Sequence, residues 1–324
     1  MRDHGGDLAR AQGRYGKGDW IDLSTGINPV AYPMPALPPD AFSRLPGAEE
    51  IAALQHMAQR AYGTSAPVVA LSGAQAAIQL VPRLRAAGTA RVLGPTYNEH
   101  AAALAAQGWQ VDQVQTVEAL AGADLAVVVN PNNPDGRILT QAQLLALRDS
   151  VGLLVVDESF IDVRPDASIT PHVTEAEERV VVLRSFGKFY GLAGLRLGFA
   201  VAGRSHANAL RDIAGPWAVN GPALVAGGVA LADTDWQWST RARLTEDAAR
   251  LDGLAAQAGW RLVGGTTLFR TYQTPDAAAA QDRLARAHVW SRIFPYSGHW
   301  LRLGLPAPDG WGQLERAVST GKPT

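Results

Sequence analysis

The sequence of 324 residues contains no cysteine. Disulfides, thiolate nucleophiles, Cys-ligated zinc and iron–sulfur clusters are therefore excluded. Neither sign of charge dominates, because 29 lysines and arginines stand against 30 aspartates and glutamates, so we expect no nucleic-acid partner. No apolar run reaches the roughly 20 residues of a membrane helix, so we expect no membrane partner. The N-terminus lacks the apolar segment of a secretory signal, which predicts a cytoplasmic protein.

The common ligand-binding motifs are missing as well. The sequence has no Walker A loop, no G-x-G-x-x-G, no H-E-x-x-H and no G-x-S-x-G. The seven histidines are scattered along the chain, so we predict no metal site on a helix. These absences together weigh against nucleoside triphosphate, NAD and zinc chemistry.

Apolar residues make up 47% of the chain and charged residues 18%, which is typical of a packed globular protein. Up to about residue 202, short apolar runs without apolar/polar alternation are separated by segments of helical spacing. Strands of this kind are buried on both faces, so the pattern predicts an α/β fold with a mostly parallel central sheet between helices. The predicted strands lie at 67–71, 91–93, 125–129, 153–156, 180–183 and 196–202. The predicted helices lie at 49–62, 74–87 with a kink at Pro82, 97–107 and 140–150.

The last third of the chain has a different pattern, which predicts a smaller α+β domain. Prolines cluster at 29–39, which predicts an extended segment, and a turn signal at 220–222 predicts a domain boundary. We therefore predict a large domain at 40–222 and a small domain made of 1–39, with an N-terminal arm, and 223–324. Three helical stretches up to about residue 257 are followed by predicted strands at 260–263, 267–272 and 300–305 and by predicted helices at 276–287 and 310–319.

Two ionisable side chains follow predicted buried strands. Lys188, in Ser185-Phe186-Gly187-Lys188, comes after the strand at 180–183, where a partly desolvated lysine can act as a Schiff-base amine. Asp157 ends the strand at 153–156, where a carboxylate needs a cationic partner such as a protonated pyridine nitrogen. Each residue also has a plainer interpretation, because the lysine could lie in a surface turn and the aspartate could cap a helix or form a structural ion pair.

Two turns also follow predicted strands. The segment 130–136, Asn-Pro-Asn-Asn-Pro-Asp-Gly, is either a tight turn only or a turn that delivers an amide side chain to the edge of the sheet. The segment 71–75, Leu-Ser-Gly-Ala-Gln, joins a strand to a helix. Its small residues would expose backbone N–H groups to a phosphate, although many ordinary strand–helix turns look the same.

Taken along the chain, these motifs resemble those of the fold-type I pyridoxal-phosphate enzymes. The order is the small-residue turn at 71–75, an aromatic segment with Tyr97, the Asn-Pro-Asn-Asn-Pro-x-Gly turn, Asp-Glu at 157–158, and Ser-x-x-Lys at 185–188 with an arginine eight residues later. The resemblance extends from about residue 4 to 305. It implies pyridoxal 5′-phosphate as the cofactor and a homodimer as the assembly. It implies that Lys188 holds the cofactor covalently, that Asp157 pairs with the pyridine nitrogen and that Tyr97 stacks on the ring, and these three form the predicted catalytic set. The other implied cofactor contacts are Asn133 at the ring 3-oxygen and Gly73, Ala74, Ser185 and Arg196 at the phosphate.

A narrower resemblance is to the threonine-phosphate decarboxylases of cobalamin biosynthesis. It is carried by His-Gly-Gly-Asp at 4–7, Ser-x-Gly-Ile-Asn-Pro at 24–29, Asp-Glu-Ser-Phe-Ile-Asp at 157–162 and Pro-Trp-Ala-Val-Asn at 216–220. It implies decarboxylation of O-phospho-L-threonine to (R)-1-amino-2-propanol O-2-phosphate. The substrate contacts that it implies are Arg302 at the carboxylate, Arg292 and His4 at the phosphate, and Asn28.

Two other functions stay open: an aminotransferase of the histidinol-phosphate type, and a cofactor-binding protein without turnover. Phe160 stands where most aminotransferases carry a tyrosine, which favours the decarboxylase. Leu45 stands where relatives often carry a tyrosine that reaches the cofactor phosphate of the neighbouring subunit, so the phosphate contact depends more on Ser185 and Arg196. Gly26 stands where some relatives carry asparagine, and we assign it no side-chain role.

Overall fold

The computed structural model describes residues 4–319, and within that range the chain forms eleven α-helices and thirteen β-strands. None of these helices is both long and apolar enough to cross a membrane. The helices are α1 Leu8–Tyr15, α2 Ala48–Tyr62, α3 Ala74–Leu80, α4 Glu99–Ala106, α5 Gln141–Ser150, α6 Phe186–Phe189, α7 Arg204–Ala214, α8 Gly221–Ala232, α9 Thr234–Gln257, α10 Ala277–Arg286 and α11 Trp311–Ser319. The strands are β1 Ile21–Asp22, β2 Val68–Leu71, β3 Thr89–Leu93, β4 Gln110–Val114, β5 Leu125–Val129, β6 Leu154–Asp157, β7 Val180–Ser185, β8 Gly198–Ala202, β9 Arg261–Thr266, β10 Phe269–Gln273, β11 Val289–Trp290, β12 Arg292–Phe294 and β13 Ser297–Gly304.

The described residues fall into two compact units. The central unit comprises Tyr32–Asn133 and Arg137–Trp236. The terminal unit comprises the described residues up to Ala31, the short segment Pro134–Gly136 and the chain from Gln237 onward. The predicted domain limits at 40–222 follow from turn signals and not from contacts, so they stay predictions.

The central unit is built on a seven-stranded sheet in the order β2-β8-β7-β6-β5-β3-β4. All neighbours from β4 to β7 are parallel, and β8 runs antiparallel to both of its neighbours. Every residue of β2, β5, β6, β7 and β8 is buried, because helices cover both faces, which explains why these strands read as continuous apolar runs. The predicted mostly parallel α/β sheet is confirmed.

Two differences from the sequence prediction in this unit have a plain physical reason. The helix predicted over 74–87 ends at Leu80, and a 3₁₀ turn at Val81–Arg83 follows, because Pro82 has no N–H to continue the helix. The edge strand β4 was not predicted. It is Gln-Val-Asp-Gln-Val and mostly exposed, so it lacks the apolar run that marked the inner strands.

The terminal unit is α+β, as expected, with a four-stranded antiparallel sheet in the order β12-β13-β10-β9 and a two-stranded parallel sheet of β1 and β11. Helix α1 and strands β1, β11 and β12 were not predicted. The three strands hold only two or three residues each, which is too few for a hydrophobic period to register. The register of β12 against β13 places Arg292 directly opposite Arg302.

Candidate active site

A cavity of about 200 Å³ in the central unit gathers most of the residues that the sequence singled out. Seven of the eight predicted cofactor residues line it, and the eighth, Gly73, adjoins it next to Ala74. The predicted residues on its wall are Ala74, Tyr97, Asn133, Asp157, Ser185, Lys188 and Arg196. The cavity is also lined by Gln75, Ile78, Val129, Ser159 and Phe160.

The sheet topology explains why distant parts of the sequence meet here. Strands β5, β6 and β7 are parallel neighbours, so their carboxyl ends lie along one edge of the sheet. Asp157 is the last residue of β6, Asn133 follows β5 and Lys188 lies in the short helix after β7. This edge is where open α/β sheets bind ligands.

Lys188 is half-buried on helix α6, and a stack of three aromatic rings begins on this helix. Phe186 stacks on Tyr190 with ring centroids 4.3 Å apart, and Tyr190 stacks in turn on Trp236 at 5.6 Å. The Nζ atom of Lys188 lies 5.8 Å from the centre of the Phe160 ring. A half-buried amine beside an aromatic face is partly desolvated, which suits a nucleophilic amine.

Asp157 is 2% exposed, and three donors surround its carboxylate. His100 Nε2 lies 2.7 Å from one carboxylate oxygen, and the backbone N–H and hydroxyl of Ser159 donate to the other at 2.9 and 2.5 Å. Burial opposes ionisation, but the hydrogen bond and charge of His100 and the bonds from Ser159 outweigh it and keep the pKa of Asp157 below its ordinary value. The carboxylate is therefore held ionised inside the cavity wall.

Sequence reasoning missed His100, which it had grouped with the scattered histidines. A local signal existed, because His100 follows Tyr97 by three residues and so can share its side of the chain where α4 begins. The two rings meet edge to face, with centroids 6.3 Å apart. Only the tertiary fold shows that the other side of His100 faces Asp157, which is 57 positions further on.

We expect His100→Leu to lower kcat/KM about 10- to 100-fold, because a hydrogen bond to a buried charge contributes roughly 1.5–3 kcal/mol. His100→Gln keeps a donor and should retain most of the activity. Steady-state kinetics together with the dissociation constant for the cofactor test this expectation. Equal losses in the two variants would contradict a role for the hydrogen bond.

Three asparagines occupy the turn after β5, and the structure assigns them different tasks. Asn130 is buried and bonds to both the N–H and the carbonyl of Leu139, at 2.8 and 3.2 Å. Asn132 is also buried, and it accepts from Thr96 at 2.6 Å and donates to the carbonyl of Pro95 at 3.0 Å. Asn133 is the one that lines the cavity. The first two shape the turn, so the third can present its amide, as predicted for a contact with the ring oxygen.

Tyr97 lines the cavity, and its hydroxyl donates to Gln75 Oε1 at 3.2 Å. The amide of Gln75 donates in turn to the buried Glu99 at 3.1 Å. Neither residue was assigned a role from the sequence, although Gln75 ends the segment 71–75 that was singled out for its small residues. Their bonds fix the tilt of the Tyr97 ring, which is the property a stacking residue needs.

Ser185, Arg196 and the turn at 73–74 form a cradle with the chemistry of an anion site. A Cβ on Gly73 would lie 2.5 Å from an Arg196 guanidinium nitrogen, and Gly73 has φ +82°, so only glycine fits this turn. Arg196 itself has φ 55°, a left-handed conformation that is rare outside glycine. Its guanidinium is held by the Ala193 carbonyl at 3.0 Å.

The donors in this cavity fit pyridoxal phosphate. The guanidinium of Arg196, the hydroxyl of Ser185 and backbone N–H groups at the start of α3 match a phosphate. The ionised Asp157 matches a protonated ring nitrogen, and Lys188 offers the amine. Apolar and aromatic side chains complete a wall suited to a flat ring, with Ile78 and Phe160 among them.

Other residues of the Asp-Glu-Ser-Phe-Ile-Asp motif at 157–162 have structural tasks. Glu158 is fully buried and accepts from the hydroxyls of Ser168 and Thr170 at 2.6 and 2.9 Å. Arg184, also buried, bridges Glu158 and Asp162 and lies over the ring of Tyr62 at 4.0 Å. This network fixes Arg184, which directly precedes Ser185 at the end of β7.

A second cationic cluster lies in the terminal unit. Arg302 is 6% exposed, and Arg292 is its direct partner across the β12–β13 pair. Burial first, and then the positive charge of Arg292, lower the pKa of Arg302 to about 10. Like charges opposite each other destabilise a sheet unless an anion neutralises them. This arrangement therefore favours an anionic ligand at the pair.

The remaining predicted substrate residues also belong to the terminal unit. Asn28 is 2% exposed, and its side-chain oxygen accepts from Val30 N–H at 3.1 Å and from Arg243 at 2.6 Å. Its amide NH₂ is thereby turned away from both donors. His4 is exposed at the start of the described chain, ahead of helix α1.

Comparisons with known proteins agree with this geometry. The sequence profile of the family described as aminotransferase class I and II matches residues 44–319. A threonine-phosphate decarboxylase from Sinorhizobium sp. is 44% identical, with 97% of this chain and 96% of the relative covered. A threonine-phosphate decarboxylase from Pseudomonas aeruginosa is 42% identical, with 98% and 97% covered. A solved histidinol-phosphate aminotransferase from Sinorhizobium meliloti, in complex with pyridoxal 5′-phosphate, superposes with a TM-score of 0.84 over 96% of this chain and 94% of that chain. At 19% identity, this last comparison shows the fold alone.

Proposed function

The chain belongs to the aminotransferase class I and II family, and from that premise we propose that it is a pyridoxal-phosphate-dependent decarboxylase. Its substrate is O-phospho-L-threonine, and its products are CO₂ and (R)-1-amino-2-propanol O-2-phosphate, a precursor for cobalamin. The proposal assigns the cofactor to the cavity of the central unit and the substrate anions to the cationic cluster of the terminal unit.

The observation that carries the proposal is the arginine pair Arg292–Arg302. The two guanidinium-bearing residues stand directly opposite each other and so suit two negative groups, and phosphothreonine carries a carboxylate and a phosphate on one small molecule. The relatives named threonine-phosphate decarboxylase match this chain over almost its whole length, which supports the choice of substrate.

When bound, pyridoxal phosphate supplies an aldehyde for the substrate amine and a ring that accepts the electron pair released at Cα. Lys188 is the amine that would hold it. Asp157, kept ionised by His100 and Ser159, would hold a proton on the ring nitrogen. Asn133 would donate to the ring oxygen, and Tyr97 would lie against the ring. Gly73, Ala74, Ser185 and Arg196 would bind the phosphate.

The substrate residues decide which bond at Cα breaks. Arg302 would hold the carboxylate by two parallel hydrogen bonds, while Arg292 and His4 would hold the substrate phosphate, with Asn28 as a further donor. Two fixed anions leave the substrate little rotational freedom. Such positioning can supply much of the reduction in the barrier, because the bond to be cleaved is aligned before reaction.

The test is incubation of the cofactor-loaded protein with O-phospho-L-threonine in the absence of any keto acid. We expect stoichiometric release of CO₂ and aminopropanol phosphate. If CO₂ is not released, and histidinol phosphate is instead converted only when 2-oxoglutarate is present, the protein is an aminotransferase and the proposal is wrong.

The proposal includes a homodimer, and an exposed apolar patch in the central unit supports it. Phe42 is 79% exposed, Leu45 61% and Trp217 58%. The turn that carries Phe42 lies against the start of helix α8, because a Cβ on Gly221 would be 2.1 Å from the carbonyl oxygen of Ala41. Large apolar side chains clustered on a surface mark an interaction site.

Phe42→Asp should convert the dimer into a monomer, because a charge placed in an apolar interface loses its solvation without gaining a partner. The control is Trp238→Asp, at a side chain that is 74% exposed in the other unit and should leave the dimer intact. Light scattering after size-exclusion chromatography measures both masses. A monomeric wild-type protein would show that there is no dimer. A Phe42→Asp variant that stays dimeric would show that the interface lies elsewhere.

A further inference from the structure

Ser24 occupies an unusual position in the terminal unit, where it contacts both the N-terminal arm and Arg302. It is fully buried in the loop that follows strand β1. Its hydroxyl donates to the Asp22 carboxylate at 2.5 Å, and its N–H donates to the same oxygen at 2.8 Å. These two bonds fix both the side chain and the backbone of Ser24.

The hydroxyl of Ser24 also accepts the N–H of Gly6 at 2.7 Å. This bond secures the His-Gly-Gly segment at a point 18 residues away in the sequence. Gly5 packs even more closely, because a Cβ at that position would lie 2.3 Å from the carbonyl oxygen of Ser24. The glycine in this motif is therefore required by its contact with Ser24, which the sequence alone did not indicate.

The same carbonyl oxygen accepts a hydrogen bond from Arg302 at 2.5 Å. Arg302 is buried, and its guanidinium carbon lies over the ring of Phe269, 5.2 Å from the ring centre. The carbonyl oxygen of Ser24 thus lies against Gly5 of the arm and also accepts a hydrogen bond from the Arg302 guanidinium. Ser24 therefore links the arm, through its hydroxyl and carbonyl, to Arg302, through its carbonyl.

We propose that Ser24 is a positioning residue that couples docking of the N-terminal arm to anion binding at Arg302. The inference rests on the proposed function for the identity of the anion, a phosphorylated amino acid. Because energetic coupling is reciprocal, a docked arm strengthens anion binding, and a bound anion strengthens docking of the arm by the same factor.

Two variants break the coupling from opposite sides. Ser24→Ala removes the acceptor for Gly6 N–H and keeps the carbonyl. Gly5→Ala leaves Ser24 intact but forces the arm away from its carbonyl oxygen. The matched control is Gly13→Ala in helix α1 of the same arm, because a Cβ there meets nothing within 4 Å.

The first readout is hydrogen–deuterium exchange of the arm. Inorganic phosphate is the probe, because a small free anion can neutralise Arg302 together with Arg292, its direct partner across the strands. We expect phosphate to slow exchange of the Gly6 amide in the wild type and in Gly13→Ala. In Ser24→Ala and Gly5→Ala, that amide should exchange at least about tenfold faster and should not respond to phosphate. These two variants should also bind phosphate about 3- to 10-fold more weakly, the loss expected for one hydrogen bond.

The second readout is steady-state kinetics with phosphothreonine. Ser24→Ala and Gly5→Ala should each raise KM about 3- to 10-fold with little change in kcat, and the double variant should resemble either single variant, since all break one coupling. The coupling is overturned if the Gly6 amide exchanges faster in the variants while phosphate affinity and KM are unchanged. It is also overturned if phosphate does not slow exchange of the Gly6 amide in the wild type. If no CO₂ is released by any variant or by the wild type, the proposed function fails, while the exchange experiment still decides the role of Ser24.

Discussion

Lys188→Ala should lose about 10⁴-fold in kcat, because the variant lacks both the amine that holds the cofactor and a group able to move protons at the reacting carbon. The residue lies half-buried on a helix held by stacked rings, so its removal leaves the sheet and the cavity wall in place. The folded variant should still bind the cofactor, through Arg196, Ser185 and Asp157, but without a covalent link.

Borohydride reduction followed by peptide mass spectrometry separates this expectation from simple misfolding. The chain has only three lysines, Lys17, Lys188 and Lys322, so the attachment site can be assigned without ambiguity. We expect the cofactor mass on the peptide with Lys188 in the wild type and on no peptide in the variant. Lys17→Ala is the control, since Lys17 is exposed and should label and react normally. Label on another lysine would refute the assignment.

Arg302→Met should lower kcat/KM about 10²- to 10³-fold, because loss of a buried charge partner costs roughly 2–5 kcal/mol in binding. The same variant should unfold at an equal or higher temperature than the wild type. Arg302 is buried and lies opposite Arg292. Burial first, and then the positive charge of Arg292, lower the pKa of Arg302 to about 10. Methionine removes that repulsion and puts an apolar side chain in the buried site near Phe269.

Thermal unfolding in the absence and presence of phosphate tests this expectation together with the kinetics. Phosphate should stabilise the wild type more than Arg302→Met, which keeps Arg292 and His4 but has lost one of the two opposed positive charges. Arg270→Met serves as the comparison, because Arg270 is on the neighbouring strand β10 but is paired with Asp252 at 2.7 Å. That variant should lose stability and keep its substrate affinity. If Arg270→Met is as stable as the wild type and Arg302→Met is less stable, Arg302 does not destabilise the unliganded fold and the expectation is wrong.

Much of the fold followed from local patterns. The strand at 125–129 was predicted with its observed limits, because an inner strand of a covered sheet consists of buried apolar residues alone. Edge strand β4 and the strands of two or three residues were not predicted. The exposed residues of β4 interrupt the apolar run, and the other strands are too short to show one. The end of α3 before Pro82 was a local conflict between helical spacing and a proline, and the proline prevailed.

The sequence by itself predicted seven of the twelve residues that line the cavity of the central unit, because several of them follow parallel strands whose carboxyl ends meet at one edge of the sheet. Only the tertiary structure decided which partners these groups have. His100 beside Asp157, Arg292 opposite Arg302 and Ser24 between Gly6 and Arg302 join positions that are far apart in the chain or whose register no motif fixes. The physical reason is that a buried polar group must find a donor, an acceptor or a countercharge, and any element packed against it can provide one.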